Sequence, residues 1–398
     1  MTQAVEQNYG ASEDTSQSIV ALARDLIKIP SQGGIDDPAR ICGFLATWLD
    51  EHELPVRILR EDGGRPVAVL VELHNGGRPV YCLNACLDTA PVGDARAWSR
   101  DPFGGEIVDG WLYGRGSADC KAAVSVFAHV GFHAMQSGEF DGTLALLFDA
   151  DEHTGRFGGI KTYLAEGPDV RGVMIGYPGN YGIVVGARGF YRVRAEVFGT
   201  SDHSGGKRSD PQNAIVKATR LVQALSWVSF PDEQDAVFQF GPKLTVTQIH
   251  GGSGFSVVPD SCRIDVDIRL TPSFGADQGL NLMEKVCSNI DAEVPSRLAT
   301  AIQPEETWPA YRLPDNSKVA CALRDSAERV FGRSLPWVVA GPSNIGNYLA
   351  SRGIEATCGF GASYRQLHAA DECVDISTLM PVFQVYRQAV ANLLTGGP

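Results

Sequence analysis

Three short strings hold most of the chemistry available to this chain. They are Ala85-Cys86-Leu87-Asp88-Thr89-Ala90-Pro91, then Tyr113-Gly114-Arg115-Gly116-Ser117-Ala118-Asp119-Cys120-Lys121, then Asp151-Glu152-His153-Thr154-Gly155. A fourth, Gln366-Leu367-His368-Ala369-Ala370-Asp371-Glu372, lies near the C-terminus. Thiol, imidazole and carboxylate groups recur in them. These are the donor types that hold a divalent ion while leaving one position open to water. An ion so held acidifies water and polarises a carbonyl, and a neighbouring carboxylate carries the proton. Taken singly, each residue also has a plain reading: Asp119 as a turn residue capping a helix, Glu152 as a surface acid, His368 as a solvated loop histidine.

The elements around the strings favour chemistry. Val67 to Leu73 and Val80 to Cys86 are apolar enough for strands, and the second ends at the first string. Leu144 to Phe148 reads as a buried strand ending at the third string, and Ala122 to Gln136 as a helix following the second. In open α/β sheets, ligands gather outside the carboxyl ends of strands. Two adjacent acids at such a buried end have their pKa pushed toward neutrality. Ser16 to Ile29 and Ile41 to His52 read as further helices, and residues 1–15 as a disordered tail.

From about Gly186 the pattern changes. Phe190 to Phe198, Leu244 to His250 and Cys262 to Leu270 alternate like half-buried strands, while Asn213 to Leu225 and Leu280 to Ile290 are helical. This β-α-β-β-α-β order predicts a small, ferredoxin-like α+β sandwich over 186–306. Helix–strand alternation then resumes to a last helix at Ile376 to Leu394. The expected architecture is an α/β catalytic domain on a mixed sheet, formed by 16–185 and 307–398, with the sandwich inserted.

Bulk properties narrow the partners. The 398 residues carry a net charge of −13 and no long basic run, which argues against nucleic acid and anionic membrane as partners. The first eighteen residues are polar, unlike a signal peptide. No stretch approaches the ~20 apolar residues of a membrane span. Nine cysteines without regular spacing suit reduced thiols in a cytoplasm better than a disulfide framework.

As an ordered set, the four strings resemble the two-zinc aminoacylase and carboxypeptidase family of acetylornithine deacetylase, succinyl-diaminopimelate desuccinylase and glutamate carboxypeptidase. The resemblance covers Ser16 to Leu394. It implies Asp119 as the carboxylate bridging two metals, His368 as the C-terminal histidine ligand and Glu152 as the general base. Three positions depart from the family: His is usual at Cys86, Glu at His153, and Asp or Glu at Tyr177. Imidazole is a good zinc ligand, so Asp119, His153 and His368 still form a two-histidine, one-carboxylate set. The alternative is that His153 serves substrate. The other metal position falls on Cys86, Asp119 and Tyr177. Thiolate suits zinc, phenol does so rarely, and no acid occurs from Val170 through Asn180. Cys86 reads equally as a ligand and as a plain buried cysteine. Asp88, which in the family orients the histidine at position 86, has lost that partner.

In the inserted domain, Gly199-Thr200-Ser201-Asp202-His203-Ser204 also resembles the family. It implies that His203 reaches across a homodimer to steady the oxyanion in the partner's site. Arg188 and Arg269 are candidates to hold a substrate carboxylate, with structural ion pairs as the alternative. Ser256, where the family commonly has Asn, and Tyr177 are further candidate substrate contacts. The expectation is therefore a zinc-dependent amide hydrolase, with one zinc per chain favoured over two. Its substrate would be an N-acyl amino acid or small peptide with a free carboxylate. The alternatives are amide formation or acyl transfer by the altered site, or a metal-poor binding protein.

Overall fold

The computed structural model of the chain describes residues 2–76, 79–206, 212–232 and 236–395, with helical side chains from 13 onward. Its contacts divide the chain into two compact units, 1–185 with 313–338 and 344–398, and 186–312 with 339–343.

The first unit is built on a mixed six-stranded sheet. Its strands are β1 (Val56–Arg60), β2 (Pro66–Asn75), β3 (Val80–Cys86), β4 (Gly142–Asp149) and β5 (Val170–Ile175), with the short strand Glu355–Thr357 at one edge. The spatial order is β1-β2-β4-β3-β5-Glu355–Thr357. β1 and β2 are antiparallel, as are β2 and β4, while β3, β4, β5 and the edge strand run parallel. Every residue of β4 is buried, as parallel strands covered on both faces require. Cys86, the last residue of β3, lies opposite Asp149, the last of β4. The loops bearing the first and third strings therefore leave the sheet side by side.

Helices α1 (Thr2–Ile27), α2 (Pro38–Glu51), α3 (Ala122–Ser137) and α4 (Gly158–Ala165) belong to this unit. Residues 1–15, expected as a tail, are helical from Thr2. The segment is polar, but no proline interrupts it before Pro30, so nothing in it bars continuation of the helix. α3 is apolar on most sides because it is covered by α1 and by the C-terminal helix as well as by the sheet. Gly131 permits that approach to the sheet, since a Cβ there would stand 2.3 Å from Leu146.

The second unit is a four-stranded antiparallel sheet of β6 (Gly189–Phe198), β7 (Lys243–Gly251), β8 (Ser261–Leu270) and β9 (Ala301–Trp308), in the order β7-β8-β6-β9. Helices α5 (Ala214–Ser226) and α6 (Ala276–Glu293) complete its β-α-β-β-α-β chain order. The alternation in β8 buries Cys262, Ile264, Val266, Ile268 and Leu270 against both helices. The chain then adds α7 (Lys318–Phe331), α8 (Ile345–Ser351) and α9 (Leu379–Leu394) to the first unit. No helix among the described residues is long and apolar enough to cross a membrane.

Candidate metal centre

The second string turns sharply between strand Trp111–Tyr113 and α3. Gly116 sits at φ 84°, and a Cβ on it would stand 2.5 Å from Thr89 Cγ2, so only glycine fits. The turn is held from behind by Glu372. Its Oε1 accepts the backbone N–H groups of Gly116, Ala118 and Asp119 at 3.1, 2.9 and 3.1 Å. Its other oxygen pairs with the buried Arg115 guanidinium, which also donates to the His368 carbonyl at 3.1 Å. One buried ion pair thus ties the Asp119 turn to the His368 loop. His368 itself takes φ 60°, an uncommon conformation for a non-glycine residue. Strained residues of this sort cluster at functional sites.

Asp119 divides its two oxygens. Oδ2 is 2.9 Å from His368 Nε2 and 3.7 Å from His153 Nε2, while Oδ1 is 3.7 Å from Cys86 Sγ. Burial raises the Asp119 pKa, and the two imidazoles outweigh it, leaving the carboxyl well below its ordinary range. One donor atom from each of Asp119, His153 and His368 falls within 4.8 Å of the others.

His153 is partly buried, with Nδ1 3.2 Å from Glu152 Oε2 and 3.7 Å from Asp88 Oδ1. Burial depresses its pKa, and the carboxylates of Glu152, Asp119 and Asp88 more than reverse this. Neither ring nitrogen reaches hydrogen-bonding geometry with any described residue. A buried nitrogen without a hydrogen bond is costly, and a cation would satisfy Nε2. Nδ1 would then face the carboxylates, as is usual for a ligating histidine. The donor set fits a divalent ion.

Asp88 has a use in spite of the cysteine at position 86. Its carboxylate accepts the backbone N–H groups of Glu152 at 3.1 Å and His153 at 2.8 Å, fixing the loop that follows β4. Behind that loop, buried Asp149 accepts from Asp151 and Ile160, and burial pushes its pKa up to about 8. Glu152 accepts the Tyr177 hydroxyl at 2.6 Å on Oε1. Burial, reinforced by Asp119 and Asp88 and opposed by His153, raises Glu152 to about 7. Tyr177, considered above as a metal position and a substrate contact, is engaged with Glu152. Burial first, then Glu152, holds its hydroxyl protonated.

The model of peptidase family M20/M25/M40 matches residues 82–392. The chain belongs to this family. Its relatives include the succinyl-diaminopimelate desuccinylase of Cereibacter sphaeroides, 27% identical over 394 residues, covering 94% of this chain and 98% of that one. The desuccinylase of Rhodospirillum centenum is also 27% identical, covering 95% and 97%. Among solved structures, the M20 metallo-carboxypeptidase of Sulfolobus solfataricus superposes with a TM-score of 0.76 at 18% identity, covering 94% of this chain and 99% of that one. A Bacillus subtilis M20 peptidase described as dinuclear and metal-binding gives 0.70 at 16% identity, covering 96% and 99%. At these identities the structures establish the fold, a mixed α/β domain with an inserted α+β sandwich. M20 peptidases are metal-dependent amide hydrolases. Nothing in these relatives supports the amide-forming or metal-poor alternatives.

In this M20 chain, the first unit gathers Cys86, Asp119, Glu152, His153, Tyr177 and His368 around one spot. His203, Arg188, Arg269 and Ser256 belong to the second unit. There His203 is exposed, with Nδ1 accepting from Gly205 N at 3.0 Å. Arg188 donates to the carbonyls of Gly341 and Gly241 at 2.9 and 3.2 Å. Arg269 pairs with Asp267 at 2.8 Å. Ser256 is exposed and its carbonyl accepts from Ser204 N at 3.0 Å.

Four features escaped the sequence reading: the Arg115–Glu372 clamp, the two-loop use of Asp88, the Tyr177–Glu152 bond and the position of Cys120. Cys120 Sγ lies 3.3 Å from Cys86 Sγ and accepts the Cys86 backbone N–H at 2.9 Å. All nine cysteines are free thiols. The hydrogen bond that the Cys86 thiol donates to Cys120, then burial, raises Cys86 well above its ordinary pKa, and burial raises Cys120.

Proposed function

We propose that the chain hydrolyses the amide of an N-acyl amino acid or small peptide bearing a free carboxylate, using one zinc held by Asp119, His153 and His368. The observation that carries this reading is the buried carboxylate of Glu152. It lies beside the three-donor cluster, with Oε2 3.2 Å from His153 Nδ1 and Oε1 2.6 Å from the Tyr177 hydroxyl. Bound zinc would supply a more acidic water and a polarised scissile carbonyl.

The protein's own groups do the rest. Tyr177 holds Oε1 of Glu152 and His153 Nδ1 lies 3.2 Å from Oε2, and the carboxylate so positioned is the group that takes a proton from water and returns it to the leaving amine. A base poised near neutral pH serves both transfers. Asp88 keeps Glu152 and His153 in register through their backbone N–H groups. Arg115 and Glu372 hold the Asp119 and His368 loops together.

The second unit is proposed as the lid and two-fold dimerisation domain. In this reading His203 acts on the oxyanion in the partner's site. The free thiols favour a cytoplasmic setting.

Replacing Glu152 with Gln preserves shape and removes the base. On the best substrate from a panel of N-acyl amino acids and dipeptides, turnover should fall ~10²- to 10⁴-fold with zinc content unchanged. Undiminished turnover would move the proton-carrying role to another residue.

A further inference from the structure

We propose that Phe255 reads an apolar group of the substrate bound at the partner subunit's metal cluster. The preferred substrate is then an amide whose side group is aromatic or branched aliphatic. The proposal rests on the reading of the second unit as a dimerisation domain whose His203 serves the partner's site, and it adds a residue that no assignment above includes.

The loop presents its ring to solvent. Phe255 stands in the turn between β7 and the short strand Val257–Val258. It is fully exposed, and Ile249 and Val257, before and after it in the chain, are exposed too. A single exposed apolar side chain is ordinary, whereas a group of them marks a surface that meets a ligand or partner. The base of the loop is packed: a Cβ on Gly251 would stand 2.9 Å from Cys262 Sγ. At Gly254 a Cβ would meet nothing within 4 Å among the described residues. An anchored stalk thus holds the ring in open space.

Strand register ties this ring to His203. Val257–Val258 pairs antiparallel with Asp202–His203, and His203 lies opposite Val257. The Ser204 N–H donates to the Ser256 carbonyl at 3.0 Å, extending the same small ladder into the turn. Phe255 is two residues from Val257, at most about 7 Å of backbone. One piece of structure therefore carries both side chains. Where His203 reaches the partner's site, Phe255 goes with it and brings the large contact area of an aromatic ring.

The composition of the loop then selects the substrate. From Ile249 to Pro259 it contains no Lys, Arg, Asp or Glu. It offers no cation to a carboxylate-bearing acyl group, and it offers a benzyl ring to an apolar one. The first unit leans the same way. Leu367, which precedes His368 in the chain, is exposed, as is Tyr364. Removing such apolar surface from water together with a matching substrate group favours binding of that substrate.

Substrate selectivity and subunit mixing test this together. The parent is assayed on N-acetylphenylalanine, N-acetylleucine, N-acetylalanine and N-succinylalanine, and should favour the first two in kcat/KM. Phe255→Ala should raise KM for N-acetylphenylalanine about tenfold, with a smaller rise for N-acetylalanine, and Phe255→Leu should keep most of the preference. A heterodimer of a Phe255→Ala chain with a Glu152→Gln chain, isolated by two tags, has one working site, which receives its ring from the Glu152→Gln chain. That heterodimer should recover the parent's KM. The Phe255→Ala value persisting in the heterodimer, an equal loss on every substrate, or a Phe255→Ala chain that no longer dimerises would each overturn the proposal. A parent that sediments as a monomer would remove the dimer reading and the proposal with it, while Glu152→Gln reports separately on hydrolysis.

Discussion

Tyr177 donates its hydroxyl to Glu152 Oε1 at 2.6 Å. Where the family usually places an acidic ligand, this chain has a phenol bonded to the Glu152 carboxylate. In the proposed mechanism this residue aims the base. Tyr177→Phe keeps the ring and removes the bond. It should lower kcat by about tenfold, as misplacing a general base does, with zinc content unchanged. An unaltered kcat would show that the hydroxyl has no part in turnover.

Glu372 and Arg115 form a fully buried ion pair, and the carboxylate also receives three backbone N–H groups. Removing one partner leaves a buried charge uncompensated, which typically costs ~3–5 kcal/mol. Glu372→Gln should therefore lower the urea midpoint at constant m-value and loosen the metal, because the Asp119 turn and the His368 loop lose their common brace. Parent-like stability and zinc retention together would show that the clamp is dispensable.

His129, remote from the metal cluster, is buried between Ser125 O at 2.7 Å and Ser18 Oγ at 2.8 Å. Burial pulls its pKa down to about 4. The folded-state pKa thus lies below that of the unfolded chain, near 6.5. As pH falls through this window, the unfolded chain takes a proton that the folded chain refuses, so stability falls with it. The contribution is about 2 kcal/mol between pH 7 and pH 5. His129→Gln should remove that share of the acid sensitivity, measured as urea-unfolding free energies at the two pH values. An identical pH slope in parent and variant would place the sensitivity in other groups.

The strands and helices that deliver the strings were legible because burial on a sheet or helix face imposes periodicity over many residues. Hairpin strands such as Ile107–Val108 and Trp111–Tyr113 are too short to show any. The inserted sandwich was visible because β6 and β8 alternate cleanly, with one face buried. The candidate residues Asp119, Glu152, His153 and His368 could be named from their strings, but their mutual distances come from the parallel pairing of β3 with β4 and from the Arg115–Glu372 clamp. That clamp joins residues 257 positions apart, and the Cys86–Cys120 contact joins residues 34 apart. Neither spacing is a local signal. At Tyr177, the missing acid was apparent in the sequence, whereas the bond replacing it depends on the side-chain geometry at the end of β5.

Zinc should be bound at Asp119, His153 and His368, near one per chain, in protein purified without added metal and dialysed exhaustively. Plasma emission analysis of the parent, His368→Ala and Cys86→Ala, treated identically, tests this directly. About one zinc is expected in the parent, most of it lost in His368→Ala and little lost in Cys86→Ala. Two zincs retained in the parent, or none in any of the three proteins, would contradict it.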